Sequence, residues 1–382
     1  MNILIIIDPG TIGGATRSIL DLITFFKSHG NQCIVCTSTK SEFTEKLDAF
    51  GIKYVITNHY AAMEAKSSIM WKNPLRYIKY YFMYAIMNKK SEKIIAERVD
   101  LKKINIIYTN SSRNDLGCVI SEKYNIPHVM HIREFGDADF DCWYFRKNYF
   151  GFINDRTNHF IAVSNAVKKH WAKKGLEEKK ISVIYNGVDD DLIEPNLHLG
   201  EDKLLKIVIV GGVCKAKGQL ILIKALGKIP KEKLMDIKLD IIGWEDDNYV
   251  KQIKREIHRL DLTNNVEFRG RMNNVEEILK NYDIGIMASV CEGFGRVTAE
   301  YMHAGLGVIA SNSGANPELI KNMLNGLLYN TEDELAACII QLFDNRILLK
   351  KLGNNARSYA KNNFTKEING KNVLGILKKY AK

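Results

Sequence analysis

Two glutamates eight residues apart, Glu292 and Glu300, bracket the run Glu-Gly-Phe-Gly-Arg-Val-Thr-Ala-Glu. Glycines at 293 and 295 let backbone approach a ligand where a side chain would block it. Residues 284–290 (IGIMASV) before the run read as a short buried strand, 296–304 as a helix, and 307–310 (GVIA) as another buried strand. A strand passing through a glycine turn into a helix aims backbone N–H groups at whatever lies above the sheet, which makes an anion and hydroxyl site. Glu300 follows Arg296 by four positions, one helical turn along the same face, so it looks into the same crevice as the turn. On shape alone, an ordinary strand-to-helix turn with two solvated glutamates reads equally well.

Two further side chains stand where chemistry is done. Lys217 lies in Gly-Gly-Val-Cys-Lys-Ala-Lys-Gly (211–218), after the apolar run 205–213 and at the start of a helix. A lysine is mildly disfavoured at that end of the helix dipole, which argues for an anion beside it; a solvated loop lysine is the plain alternative. His131 ends the strand-like run 128–132 (HVMHI). Ligands of open α/β sheets bind at the carboxyl ends of strands, and a packed or capping histidine is the plain alternative. The stretch Asp8-Pro-Gly-Thr-Ile-Gly13-Gly14-Ala-Thr-Arg17 could be a dinucleotide fingerprint, but its spacing is not G-x-G-x-x-G. No acidic residue closes the second strand (32–38), where a ribose partner would sit, so a nicotinamide site is poorly supported.

The elements that must position these groups alternate strand and helix along the whole chain. Strand-like runs at 2–8, 32–38, 52–57, 104–110, 128–132, 161–164 and 181–188 are followed by a second series at 205–213, 239–244, 266–270, 284–290 and 307–310. That alternation implies parallel doubly wound sheets, and 382 residues suit two such domains. Residues 190–203 are polar, carry Pro195 and read as a linker. No apolar run reaches the roughly 18 residues of a membrane span, and Met1 leads straight into a strand, so neither a signal peptide nor an anchor is expected. Seven cysteines without framework spacing fit a reduced cytoplasm. Cys33 and Cys36 would point to opposite faces of their strand, as core thiols. A net charge of +11 makes phosphorylated small molecules, anionic membrane and nucleic acid the candidate partners. Nucleic acid ranks last because no recognised binding motif is visible.

The run Glu292–Glu300 with the following Tyr-Met-His-Ala-Gly305 resembles the E-x7-E signature of retaining glycosyltransferases of family 4, and Ser313-Gly-Ala-Asn-Pro-Glu318 is similar to that family too. The resemblance recurs along nearly the whole chain. It implies the α/β GT-B fold, two Rossmann-like doubly wound parallel-sheet domains facing a cleft. On that scheme residues 1–189 form an acceptor-binding domain, 204–365 a donor-binding domain, and 366–382 a helix crossing back to the first. It implies that Lys217 holds the donor diphosphate, that Glu300 holds the ribose, and that Glu292 and His131 (the catalytic pair) approach the donor sugar. Gly13, Gly14, Gly295, Arg296 and Val297 would line the diphosphate, and Arg271 the base. Arg17 and Arg133, with Asp8, would lie on the acceptor side. The family's loop arginine is replaced by Gly212, so Lys215 or Arg296 would supply the second cation. No metal and no cofactor is implied, and Asp137, Asp139 and Asp141 then read as an acidic surface loop.

Residues 74–91 form the most distinctive surface candidate. Trp71, Leu75, Ile78, Phe82, Ala85 and Ile86 share one face of the helix this spacing predicts, with Tyr77, Tyr80, Tyr81 and Tyr84 opposite. Lys72, Arg76, Lys79 and Lys90 run along one edge. Tyrosine beside cations is the chemistry of a membrane interface; a core-facing helix with packed tyrosines is an equal reading. The function expected is a retaining, metal-independent transferase using a nucleotide-diphosphate sugar, UDP-sugar favoured. Its acceptor would be a glycan, lipid-linked in bacterial surface polysaccharide or glycoconjugate synthesis, and its place the cytoplasm at the inner face of the membrane. A catalytically silent GT-B partner subunit and a sugar-nucleotide epimerase are the alternatives.

Overall fold

The computed structural model describes residues 1–7, 14–67, 69–272 and 274–382. The chain forms two compact units, residues 1–186 with 366–382, and residues 187–365.

In the first unit seven parallel strands form one sheet. They are β1 (Asn2–Ile7), β2 (Gln32–Thr37), β3 (Lys53–Ile56), β5 (Ile106–Asn110), β6 (His128–Ile132), β8 (His159–Ala162) and β9 (Ile181–Val183), in the order β3-β2-β1-β5-β6-β8-β9. Two short strands, β4 (Met63–Ala65) and β7 (Cys142–Tyr144), pair antiparallel outside it. The central strands are apolar on both faces because helices cover both: Ile3, Ile5 and Ile7 enter one core cluster, Leu4 and Ile6 the other. Cys33 and Cys36 follow the same alternation onto opposite faces, and burial pushes both thiols up to about 12. The helix Lys366–Tyr380 belongs to this unit, with Val373, Leu374 and Leu377 packed into the cluster that holds Phe25 and Phe26.

The second unit has a sheet of six parallel strands: β10 (Leu205–Val210), β11 (Ile237–Ile242), β12 (Val266–Gly270), β13 (Ile284–Met287), β14 (Gly307–Ser311) and β15 (Leu327–Tyr329). Their order, β12-β11-β10-β13-β14-β15, is the doubly wound order whose direction of winding reverses between β10 and β13. Residues 190–203, expected as a linker, pack as part of this unit. Leu199 is buried in its core, and the Asn196 amide donates to the Tyr282 carbonyl at 2.7 Å. Among the described residues no helix is long and apolar enough to cross a membrane.

Candidate active site

Ligands of a doubly wound sheet sit outside the carboxyl ends of the strands where the winding reverses. In the second unit those strands are β10 and β13, and the loops that leave them carry Lys217 and Glu292. The two loops are fastened together. The Val290 amide donates to the Ala216 carbonyl at 3.1 Å. Gly218 has φ +70°, and a Cβ there would lie 2.0 Å from the Ala288 carbonyl oxygen. A third loop braces Glu292 from behind. The Ala315 amide donates to the Glu292 carbonyl at 2.9 Å, and a Cβ on Gly314 would meet the Glu292 backbone at 2.6 Å. Lys217 Nζ then donates to Glu292 Oε1 at 2.5 Å. The sequence separates these residues by 75 positions and assigns them different partners, so the ion pair is a finding of the structure.

Arg296 opens the helix Arg296–His303, entered through Gly295 at φ +80°. Its Nε donates to Glu300 Oε1 at 3.0 Å and its Nη1 to the Gly187 carbonyl at 3.3 Å. Arg296, half-buried, and Glu300, buried, are therefore a pair on one helical face. Val297 is half-buried on the same first turn. Beside Gly295, the Thr298 hydroxyl and the Asn316 Oδ1 are buried without a hydrogen-bond partner. A Cβ on Gly295 would lie 3.0 and 3.4 Å from them. Tyr301 locks this helix to the sheet: its hydroxyl accepts from the Val210 amide at 2.8 Å, and its ring lies over Gly285, where a Cβ would sit 2.3 Å away.

Gly212 departs from the family arginine for a visible reason. The Trp244 ring lies against it, 2.4 Å from where any Cβ would be. Of the two replacements considered, Lys215 is exposed beside Lys217, whereas Arg296 is engaged by Glu300. Arg271 is exposed just beyond β12. A polar cavity of about 870 Å³ opens over Lys206, Lys238, Asp240 and Arg269 and is lined by none of Lys217, Glu292, Arg296 or Glu300.

In the first unit His131 is fully buried at the end of β6. Its Nδ1 lies 2.5 Å from the Tyr108 hydroxyl and 3.4 Å from Arg133 Nη2. A guanidinium can only donate, so Nδ1 is an acceptor and the proton resides on Nε2. Nε2 is buried and has no hydrogen-bond partner. Burial, followed by the neighbouring Arg133 charge, holds the imidazole well below its usual range, so it is neutral. Tyr108, missed from the sequence, is itself pushed up to about 12 by burial, which keeps its proton available.

Arg133, expected on the acceptor side, is buried, donating from Nε to Asn110 at 2.5 Å and from Nη1 to Asn186 at 2.6 Å. It acts as a brace for His131 rather than an open contact. Gly14 begins the helix Gly14–Ser28 and Arg17 lies half-buried in its first turn; Gly13 and Asp8 lie outside the described residues. The three aspartates of the D-x-D-x-D run are separately engaged. Asp137 pairs with Lys174, Asp139 accepts from the Phe135 amide, and Asp141 pairs with Lys66 at 2.6 Å. Among the described residues no group of three acidic, histidine or cysteine side chains is placed to hold a metal.

Two family models cover most of the chain. Residues 12–192 match the model described as Glycosyltransferase Family 4, and residues 193–359 the one described as Glycosyl transferases group 1. An uncharacterized glycosyltransferase of Methanocaldococcus jannaschii is 28% identical over 261 residues, 64% of this chain and 65% of that protein, just under two thirds of its length. The UDP-Gal:alpha-D-GlcNAc-diphosphoundecaprenol alpha-1,3-galactosyltransferase of Escherichia coli is 25% identical over 308 residues, 76% of this chain and 77% of that protein. The crystal structure of Anabaena HepE in complex with UDP is similar in fold, with a TM-score of 0.81 at 22% identity over 99% of this chain and 100% of that one. With both family models together covering most of the chain, it belongs to the glycosyltransferases, family 4 in its first half and group 1 in its second.

Proposed function

We propose that the protein is a retaining, metal-independent transferase that moves a sugar from a UDP-sugar to a lipid-linked glycan acceptor. The observation that carries the donor half is the Lys217–Glu292 contact at the winding reversal of the second sheet, with the Arg296–Glu300 pair on the next helix. A diphosphate entering there meets the Lys217 ammonium and the amides at the start of the helix Arg296–His303. The unpartnered Thr298 and Asn316 oxygens beside Gly295 suit a ligand's polar atoms. Glu300 takes the ribose hydroxyls and Glu292 those of the sugar. The HepE structures hold UDP and UDP-glucose, and the Escherichia coli relative's name specifies a UDP-sugar and a diphosphoundecaprenol acceptor, which supports this choice of donor and acceptor.

In the proposed reaction the bond from the anomeric carbon to the leaving phosphate oxygen breaks, and a bond to the acceptor oxygen forms on the same face. The acceptor's proton passes to the departing phosphate. Lys217 and the helix amides stabilise the growing charge on that phosphate. His131, neutral and protonated on Nε2, is set to donate to a ligand hydroxyl. Two carboxylates can also serve hydrolysis as acid and nucleophile, but here each has its own cation, Lys217 on Glu292 and Arg296 on Glu300.

The test is titration calorimetry in excess chelator together with turnover of UDP-sugars. Glu300→Gln is expected to weaken binding of UDP itself. Glu292→Gln is expected to leave UDP affinity near wild type while turnover falls. Donor binding that disappears in chelator and returns with manganese overturns the metal-free reading, and equal effects of both substitutions on UDP overturn the division of roles.

A further inference from the structure

The helix Asn73–Arg98 of the first unit is amphipathic the wrong way round for a helix that only packs on its own core. The side turned to the protein is its polar and aromatic one. Tyr84 is buried and donates to Asp115 at 2.6 Å, Asn88 exchanges hydrogen bonds with the Tyr60 backbone, and Ser91 and Glu92 are buried. Tyr77 packs on Trp143 and Phe145, each 5.6 Å away between ring centres. The side turned to solvent carries Trp71, Leu75, Ile78, Phe82 and Ile86, of which Trp71 and Leu75 are 73% and 70% exposed and Phe82 is 57% exposed. A surface helix ordinarily hides such a stripe, and an exposed apolar patch of this extent marks an interaction surface.

The charge on this face selects the occupant. Residues 70–90 contain five cationic side chains and no acidic one. Arg76 is engaged by Glu64 and by the Ala65 carbonyl, which leaves Lys72, Lys79, Lys89 and Lys90 exposed around the apolar stripe. A twofold contact with a second copy would lay this patch on itself, cation against cation with no acid to answer it. An anionic bilayer answers both features, its headgroups meeting the lysines and its acyl boundary the apolar stripe. At the head of the stripe an open aromatic groove of about 660 Å³, between Met70, Pro74, Tyr77, Trp143 and Tyr144, continues the apolar surface.

We propose that the helix Asn73–Arg98 lies in the plane of an anionic membrane, with Trp71, Leu75, Ile78, Phe82 and Ile86 inserted and Lys72, Lys79, Lys89 and Lys90 at the headgroups. The docking stands on this surface alone; only the idea that it delivers a lipid-linked acceptor rests on the function proposed above.

The full chain is mixed with sedimentable vesicles of phosphatidylcholine, with or without 30% phosphatidylglycerol as a chosen probe, at low and high salt. Wild type is expected to bind the anionic vesicles, with release as salt shortens the screening length, and Trp71 emission is expected to shift to the blue, a shift absent in Trp71→Phe. Lys72→Gln, Lys79→Gln and Lys89→Gln together are expected to weaken anionic binding at least tenfold, since each charge at such a surface is worth about a fivefold factor. Leu75→Ser with Phe82→Ser is expected to weaken it at least tenfold at every salt concentration. Because these positions are exposed, melting temperature and UDP binding should be unchanged in both variants. Wild type left in the supernatant, or variants that bind as wild type does, overturns the proposal. So does a dimer in sedimentation velocity that Leu75→Ser with Phe82→Ser abolishes, since a second copy is then the occupant. Vesicle binding without transfer to a lipid acceptor supports the docking and counts against the acceptor reading alone.

Discussion

On the function proposed above, His131 and Lys217 are single side chains prepared for a substrate in opposite ways. His131 has one nitrogen held by Tyr108 and Arg133 and the other left with a proton and no partner, deep in the protein. An unsatisfied buried donor costs roughly 1–3 kcal/mol, a cost that a substrate hydroxyl would remove. Lys217 is prepared in the opposite way, by a partner it can exchange. Lys217→Ala should weaken UDP binding by roughly 1.5–3 kcal/mol, the scale of a charge-assisted hydrogen bond, and leave uridine almost unaffected. Because the ammonium touches Glu292, Lys217→Ala and Glu292→Gln should be non-additive in UDP-sugar turnover, with a coupling of roughly 0.5–3 kcal/mol. Additive losses would show that the two side chains act separately. His128, three residues earlier on the same strand, is buried on Thr109 and Thr157, and burial lowers it to about 3. The unfolded chain takes up that proton below pH ~6.5 and the folded chain does not, so this contribution is complete above pH ~6.5 and is lost as pH falls toward 3. Between pH ~6.5 and ~5 the loss is about 2 kcal/mol. Urea midpoints from pH 7 to 5 should fall less steeply in His128→Gln than in wild type, and identical slopes would remove His128 from the account.

At the scale of elements, two close approaches shape the loops that carry Lys217 and Glu292. The Lys217 loop can lie on β13 only because Gly218 has no Cβ, and the Gly211–Gly212 turn is filled by Trp244 where an arginine would otherwise stand. Gly212→Arg should therefore lower the melting temperature by itself. Combined with Trp244→Ala it should recover stability and bind UDP more tightly than Trp244→Ala alone. A double variant as unstable as Gly212→Arg would place the conflict in the backbone rather than with the indole. These elements were largely legible in the sequence, because continuous runs such as Ile284–Met287 and His128–Ile132 leave little choice but a buried parallel strand. The loops between them announced Glu292, Glu300 and Lys217 through glycine and charge. The Lys217–Glu292 and Arg133–Asn186 contacts were not legible, since pattern within a short window carries no information about partners 75 and 53 residues away. The pair β4 and β7 escaped for the same reason, three residues each and far apart. The helix Asn73–Arg98 gives a sharper lesson: its periodicity divides an apolar from a tyrosine face, but only the structure shows that the tyrosine face is the packed one.

At the scale of the molecule, the chain leaves its first unit at Asn186 and returns to it at Lys366, so the stability of that unit depends on its last 17 residues, 366–382. The returning helix is not a loose tail. Val373 and Leu377 are completely buried and Leu374 nearly so, against the cluster that holds Ile19, Leu22, Phe25 and Phe26. Gly370 is required by the same contact, since a Cβ there would lie 2.4 Å from the Phe25 ring. Fully burying an aliphatic side chain of this size is worth ~1.5–3 kcal/mol, so three of them approach the ~5–15 kcal/mol that holds a whole domain together. A chain ending at Thr365 should therefore lose hydrogen-exchange protection first and most in Gly14–Ser28 and in β6, the elements the missing helix packs against. The milder Gly370→Leu should do the same in the intact chain, lowering the melting temperature by forcing the helix away from Phe25. If the truncated chain keeps full protection in Gly14–Ser28, the helix Lys366–Tyr380 is an ornament on an independently stable unit and this account of the crossover is wrong.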